Sequence, residues 1–340
     1  MNIKLPIPEI REAQNYIGDK VRLADRLRER SRELQNKISE IFTDFNPREF
    51  SKGKTSRIST NELVDSLNPN AYMPRFLESD RIVRSYPHTS IKSISLNIAD
   101  GPFGSNLKVT DYRTGKKALH PVIRVINCEN GQLNTDDLAW IDTAKQQELS
   151  RSEVLPNDLL ITKARRIGSS AVYPDNLPLG NITSHLIRAR IKPNIDPCYV
   201  AEFLETKVGR AVTERHSFKS TRPELTKGEI ESCNIALLPN NLIKQVGNFA
   251  RIRNTCSNFV ILLTITAQLL VEALIEGKIT EEELQTAQQV LQKGDREPDK
   301  TILSRLTHKG IDIKDEPPLF PDLDALYEII DQITKDTEEE

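Results

Sequence analysis

Apolar and small residues recur at heptad a and d spacing near the start of the chain: Ile10, Ala13, Ile17, Ala24, Leu27, Ser31, Leu34, Ile38 and Ile41. The positions between them are polar and include Arg22, Arg26, Arg28, Arg30 and Arg32. That pattern predicts a long amphipathic helix with a narrow apolar seam, entered after Pro6 and Pro8. A narrow seam needs a partner helix. Residues 242–275 offer one, with Leu242, Phe249, Ile252, Cys256, Phe259, Leu263, Leu270 and Ala273 at the same spacing. The two stretches also share an entry, IKLPIPEIREAQ (3–14) and IALLPNNLIKQ (235–245), which makes a weak internal repeat.

Between the helices the period changes. Residues 43–85 are polar and broken by Pro47, Gly53, Pro69 and Pro74, as in a linker with short helical pieces. Short β-rich runs then recur between turn signals: PVIRVINC (121–128), DLLITKA (158–164), SSAVYP (169–174) and HLIRARI (185–191). A helical stretch, YVAEFLETKVGRAVTERH (199–216), follows them. After Gly277 the chain is helix-rich and acidic, with Thr280 as an N-cap before three glutamates. The expected fold class is α+β: a spacer helix (1–42), a linker (43–85), a compact α/β body (86–234), a second spacer helix (235–277) and an acidic helical tail (278–340). The two long helices are expected to pair as an antiparallel coiled coil.

Composition fits this picture and narrows it. A chain of 340 residues holds one large domain or two modest ones. A hydrophobic content of 37% with 28% charged residues is globular but lean in apolar residues, which suits long helices beside a compact body. The net charge of -2 hides an asymmetry: residues 81–230 carry 22 Lys+Arg against 16 Asp+Glu, whereas residues 271–340 carry 8 against 19. The middle is therefore suited to an anion and the C-terminal segment is not. Cys128, Cys198, Cys233 and Cys256 are scattered, with no zinc or disulfide spacing, and nothing at the N-terminus reads as a signal peptide. A cytoplasmic protein is expected. The apolar run FVILLTITAQLLVEALI (259–275) is short for a membrane span and contains Gln268 and Glu272, so it is expected as a bundle helix with no membrane partner.

Catalytic motifs are not found. FNPREF (45–50) lacks the second proline of a base-methyltransferase motif, and there is no glycine-rich cofactor loop. A two-carboxylate nuclease needs an acid two residues before its lysine, where Lys163 has Ile161. In DGPFGSNLKVTDY (100–112), Gly101, Gly104 and Lys108 miss the P-loop spacing. His88, His120, His185, His216 and His308 show no metal-ligand pattern. No catalytic residue, metal or cofactor is expected, and His185 is read as structural or DNA-contacting. What remains is basic and small polar residues on turns: Ser105, Asn106 and Lys108; Lys163, Arg165 and Arg166; Lys219, Ser220, Thr221 and Arg222. Each cluster alone reads as solvated surface. Three in one net-positive block point to nucleic acid.

The order DGPFGSNLKVTDY, PVIRVINC, LSRSEVLPNDLLITKARRIGSSAVYP, NITSHLIRAR, STRPELTKGEIESCNIALLP resembles the target-recognition domain of DNA specificity (S) subunits of type I restriction-modification systems. The resemblance covers about 150 residues and extends into both helices. It implies a non-catalytic subunit that binds double-stranded DNA, reads half of a split target, and docks DNA adenine methyltransferase subunits and an endonuclease or translocase subunit. Family members usually carry two recognition domains, whereas this chain has one block between two helices, like a half-subunit in permuted order. A homodimer, or pairing with a second S-type chain, is then implied, and two identical copies would read a palindromic split site. Arg165, Arg166 and Arg222 become candidate guanine contacts or phosphate clamps, with Asn106, Ser220 and Thr221 as shorter-range donors. The rival readings are a helical scaffold or adaptor whose body binds protein and not DNA, and a cysteine- or histidine-dependent hydrolase, for which no nucleophile signature exists.

Overall fold

The structure is a computed structural model and describes residues 8–51, 58–63, 68–135, 137–218, 223–314 and 316–339. It divides into two compact units, Leu34–Arg251 and a second made of Met1–Glu33 with Ile252–Glu340. The heptad pattern forms the two helices it predicts, Arg11–Ile41 and Asn240–Ile275, and each contributes residues to both units. The second helix is stopped at Gly277, whose φ of +67° only glycine adopts readily, while Lys278 N–H donates to the Ala273 carbonyl at 2.9 Å.

In the discontinuous unit, Ala13, Tyr16, Ala24 and Leu27 share one core with Cys256, Phe259, Leu263, Leu270 and Ala273. Ser31 Oγ lies 3.0 Å from Ser257 Oγ across the same pair. Helix Asn240–Ile275 is long and apolar enough to cross a membrane by length and composition, yet here its Phe259, Leu263 and Leu270 are buried in a bundle. The seam deviates from expectation at its start. Tyr16 and Lys20 are buried, while Ile17 is only half-buried.

The reason lies in residues 278–340, expected as an acidic tail. Helices Glu281–Leu291, Glu297–Ser304 and Leu323–Glu339 and the hairpin Leu306–Thr307/Gly310–Ile311 supply Leu284, Ile302, Leu303, Leu306, Phe320 and Leu326 to this core. The acids gather in first turns and on outer faces, so apolar residues at helical spacing remain free to turn inward. Thr280 caps as predicted, its Oγ1 accepting the Glu283 N–H at 3.2 Å. Asp299 faces inward and is buried: Tyr16 and Tyr327 each donate to it at 2.5 Å, and the Lys20 ammonium pairs with it. Burial opposes its ionisation, but the ammonium and the two hydroxyls outweigh burial and hold its carboxyl below the usual range.

In the continuous unit the two helices run antiparallel, since Lys37 lies over the Phe249 ring and the next turn, Ile41, lines the same groove as Gln245. Buried Ile243, Val246 and Ala250 carry the seam here, one position from the expected Leu242 and Phe249. Two four-stranded sheets make the body. One has the order Ser95–Asp100, Leu186–Ile191, Asp158–Thr162, Ser170–Val172, all neighbours antiparallel. The other has the order Ala139–Ile141, His120–Ile123, Gly180–Ile182, Glu153–Val154. Leu159 and Ile161 face one core while Leu160 faces another, so the strand is buried on both sides and reads as a continuous apolar run. His88–Ser90 pairs with Asn234–Ala236 and ties the two ends of the body together.

Two further expectations change. The helical stretch 199–216 is two helices, Pro197–Glu205 and Lys207–Arg215, because Thr206 leaves helical geometry and its Oγ1 caps the second by accepting the Gly209 N–H at 2.9 Å. The segment expected as a linker with short helical pieces does hold a helix, Pro74–Arg84, but it is packed into the body: Val83 joins its core and Asp80 lies 3.4 Å from the buried Arg215 guanidinium.

Candidate nucleic-acid interface

Antiparallel pairing decides where the basic turns meet. Ile187, near the start of its strand, lies opposite both Asp100 and Ile161, near the ends of theirs, so the loops that follow Asp100 and Thr162 leave the sheet at one end. Lys163 N–H donates to His185 O at 2.9 Å, Gly101 N–H to Leu186 O at 3.1 Å, and Leu225 N–H to Lys163 O at 2.8 Å. The chain that follows the third cluster is thus drawn to the same edge.

The first loop is fixed at its stem. A Cβ on Gly101 would lie 2.0 Å from the Thr183 carbonyl oxygen, a backbone atom that cannot swing aside. Gly101→Ala is therefore expected to destabilise the body by about 1–3 kcal/mol, the usual cost of overpacking. A lowered urea midpoint, read from the fluorescence of Trp140 in this unit, checks it. Gly104 has open space around it. Ser105, Asn106 and Lys108 are all exposed. Asn106, Lys163, His185 and Arg151 line a cleft of about 790 Å³ at this loop, together with the carboxylates of Asp100, Glu148, Glu224 and Glu229, so its charge is mixed.

Residues 163–169 form the turn of a hairpin between Asp158–Thr162 and Ser170–Val172. Its three cations are held differently. Lys163 Nζ is 3.2 Å from Asp100 Oδ1, and Arg166 is 2.9 Å from Glu129. Arg165 is exposed, makes no ion pair among the described residues, and sits at φ +67°, a left-handed conformation that costs a non-glycine residue about 1–2 kcal/mol. Arg165 and Arg166 line a second cleft, of about 480 Å³, with Arg210, Ser217, Phe218 and Pro223. Arg210 is tied down by Glu205 at 2.5 Å and by the Ile167 carbonyl at 3.1 Å. Lys219, Ser220, Thr221 and Arg222 lie outside the described residues.

Arg151 belongs to none of the three basic clusters of the sequence, yet it is exposed in the first cleft. Its neighbours are held by a buried polar network: Ser152 Oγ donates to Asn181 Oδ1 at 2.7 Å, and Asn181 Nδ2 donates to Gln146 Oε1 and to the Leu149 carbonyl, each at 3.1 Å. No local signal in the sequence marks this residue, because its link to the loop is entirely tertiary. The thiols offer little nucleophilic chemistry: all four cysteines are buried, and burial pushes Cys233 up to about 12 and Cys256 up to about 11. Among the described residues no group of three His, Cys, Asp or Glu side chains could hold a metal ion. The arrangement presents cations, some of them paired with carboxylates, and short polar donors on anchored turns at one sheet end.

No protein-family model and no curated protein matches the chain. Among solved structures it is similar to the HsdS subunit from Thermoanaerobacter tengcongensis, with 18% identity and a TM-score of 0.36, over 84% of this chain and 59% of that one. It is also similar to the S subunit of a type I restriction-modification system from M. genitalium, with 14% identity and a TM-score of 0.41, over 78% and 61% of the two chains. A third similar chain comes from a structure of type I R-M complex assembly and conformational transition, with 13% identity and a TM-score of 0.38, over 84% of this chain. This chain spans 60% of that third structure's length, close to its share of the other two.

Proposed function

We propose that this chain is a DNA-specificity subunit of a type I restriction-modification system, reading one half of a split target. The observation that carries the reading is the gathering of basic and small polar turns, distant in sequence, at one end of the four-stranded sheet. The resemblance of five sequence stretches, in order, to S-subunit recognition domains supports it. Arg165 and Arg166 act as phosphate clamps or guanine contacts, Asn106 and Ser105 as short donors to base edges, and Lys108 as a phosphate contact. The chain has no catalytic part in methylation or cleavage. It docks adenine methyltransferase subunits, and through them an endonuclease or translocase subunit, along its two long helices. With one recognition body per chain, two copies act together about a two-fold axis, and the target is a split palindrome.

Methylome sequencing with and without the gene tests the reading. A split palindromic motif should be methylated only when the gene is present, and the chain purified with its methyltransferase should bind that motif tightly at about 0.1 M salt, with affinity falling as salt rises. Identical methylomes, together with no affinity for duplex DNA, would refute it and leave the protein-binding adaptor.

A further inference from the structure

Phe103 stands on the first loop with 80% of its surface exposed, and Val109 on the same loop is equally exposed. Single exposed apolar side chains are common on proteins. This one is held out by its own loop. Gly101 is pinned against Thr183, Pro102 fixes the backbone just before the ring, and Phe103 O accepts the Asn106 N–H at 2.8 Å. Leu107 then returns the chain to the body, packing against buried Val122, Ile141 and Leu149. The turn is anchored on both sides and presents the ring at the rim of a cleft of mixed charge, in which Arg151 and Lys163 stand beside Asp100 and Glu148.

We propose that Phe103 is a wedge: on duplex DNA its ring enters between neighbouring base pairs and stacks on a base that it has unstacked. The inference rests on the DNA-reading function proposed above and adds a second kind of readout to it. Steps that open at low cost, such as pyrimidine–purine steps, accept the ring more readily, so Phe103 contributes sequence preference without a hydrogen bond to any base edge. Duplex DNA fits this tip better than an apolar partner protein, because two exposed side chains, Phe103 and Val109, make too small a patch for an apolar interface, and exposed Lys108, Arg151 and Arg165 share its sheet end.

The test scans 2-aminopurine through duplexes carrying the methylated motif, using the chain assembled with its methyltransferase. A rise in fluorescence is expected at one position other than the methylated adenine. It should vanish in Phe103→Ala and return in Phe103→Trp, with Phe103→Ala weakening binding about tenfold to hundredfold, the scale of one base–aromatic stack. Unchanged thermal unfolding of Phe103→Ala separates this effect from misfolding. Specific binding by the wild type with no such rise, or with a rise that Phe103→Ala preserves, would overturn the wedge alone. Absence of any specific binding by the wild type would overturn the DNA-reading function, and the wedge with it.

Discussion

Asp299→Ala is expected to lower the unfolding free energy of the discontinuous unit by about 3–5 kcal/mol, because it leaves a buried ammonium without its counter-charge. Lys20 is 4% exposed and the Tyr16 and Tyr327 hydroxyls donate to the same carboxylate, so one truncation strands three polar groups. Urea unfolding followed by circular dichroism reads the loss, and a midpoint equal to wild type would count against it. Asp299→Asn combined with Lys20→Met should recover most of the stability, since removing both charges removes the uncompensated one. The pH dependence has a definite sign. A carboxyl held below its ordinary value of 3.8 contributes stability that is present above that value and is lost as pH falls through the depressed one. The unit should therefore weaken on acidification below about pH 4.

Arg165→Ala with Arg166→Ala should reduce DNA affinity about tenfold to hundredfold at moderate salt and flatten the plot of log affinity against log salt, by about 0.9 for each phosphate that is no longer neutralised. Unchanged affinity and slope in a salt titration of the purified complex would remove both residues from the interface. The backbone permits a sharper version. Arg165 holds a left-handed conformation that glycine adopts freely, so Arg165→Gly should weaken binding while keeping or raising stability, by up to about 1 kcal/mol. A residue kept for folding would show the opposite.

The long helices were legible because a seam repeats over many turns, and strands Asp158–Thr162 and Leu186–Ile191 because their residues form short apolar runs between turns. Strand Ser95–Asp100 was not, since SLNIAD mixes polar and apolar positions and gains its place only by pairing with Leu186–Ile191. Lys20 reads as surface in any local window, because its partner is 279 residues away. The same holds for the site. Gly101 and the Lys163–Arg166 run announce turns, but the sheet order that brings both to one end is not chain order, and Arg151 is placed beside them by neighbours, Leu149 and Ser152, that bond to Asn181. The mixed composition of 278–340 concealed a core because its acids outnumber the apolar residues that do the packing.

The division of the chain has a consequence for its synthesis. Leu34–Arg251 is one uninterrupted stretch and can close its core once Arg251 has left the ribosome. The other unit cannot. Lys20 and the apolar seam around it emerge first, and the carboxylate that neutralises Lys20 follows 279 residues later, an interval of roughly 15 to 55 s at 5–20 residues per second. Until the second long helix, and then Asp299, have emerged, the nascent N-terminal helix carries an unsatisfied seam and an unpaired Lys20, a state that a chaperone would be expected to shield.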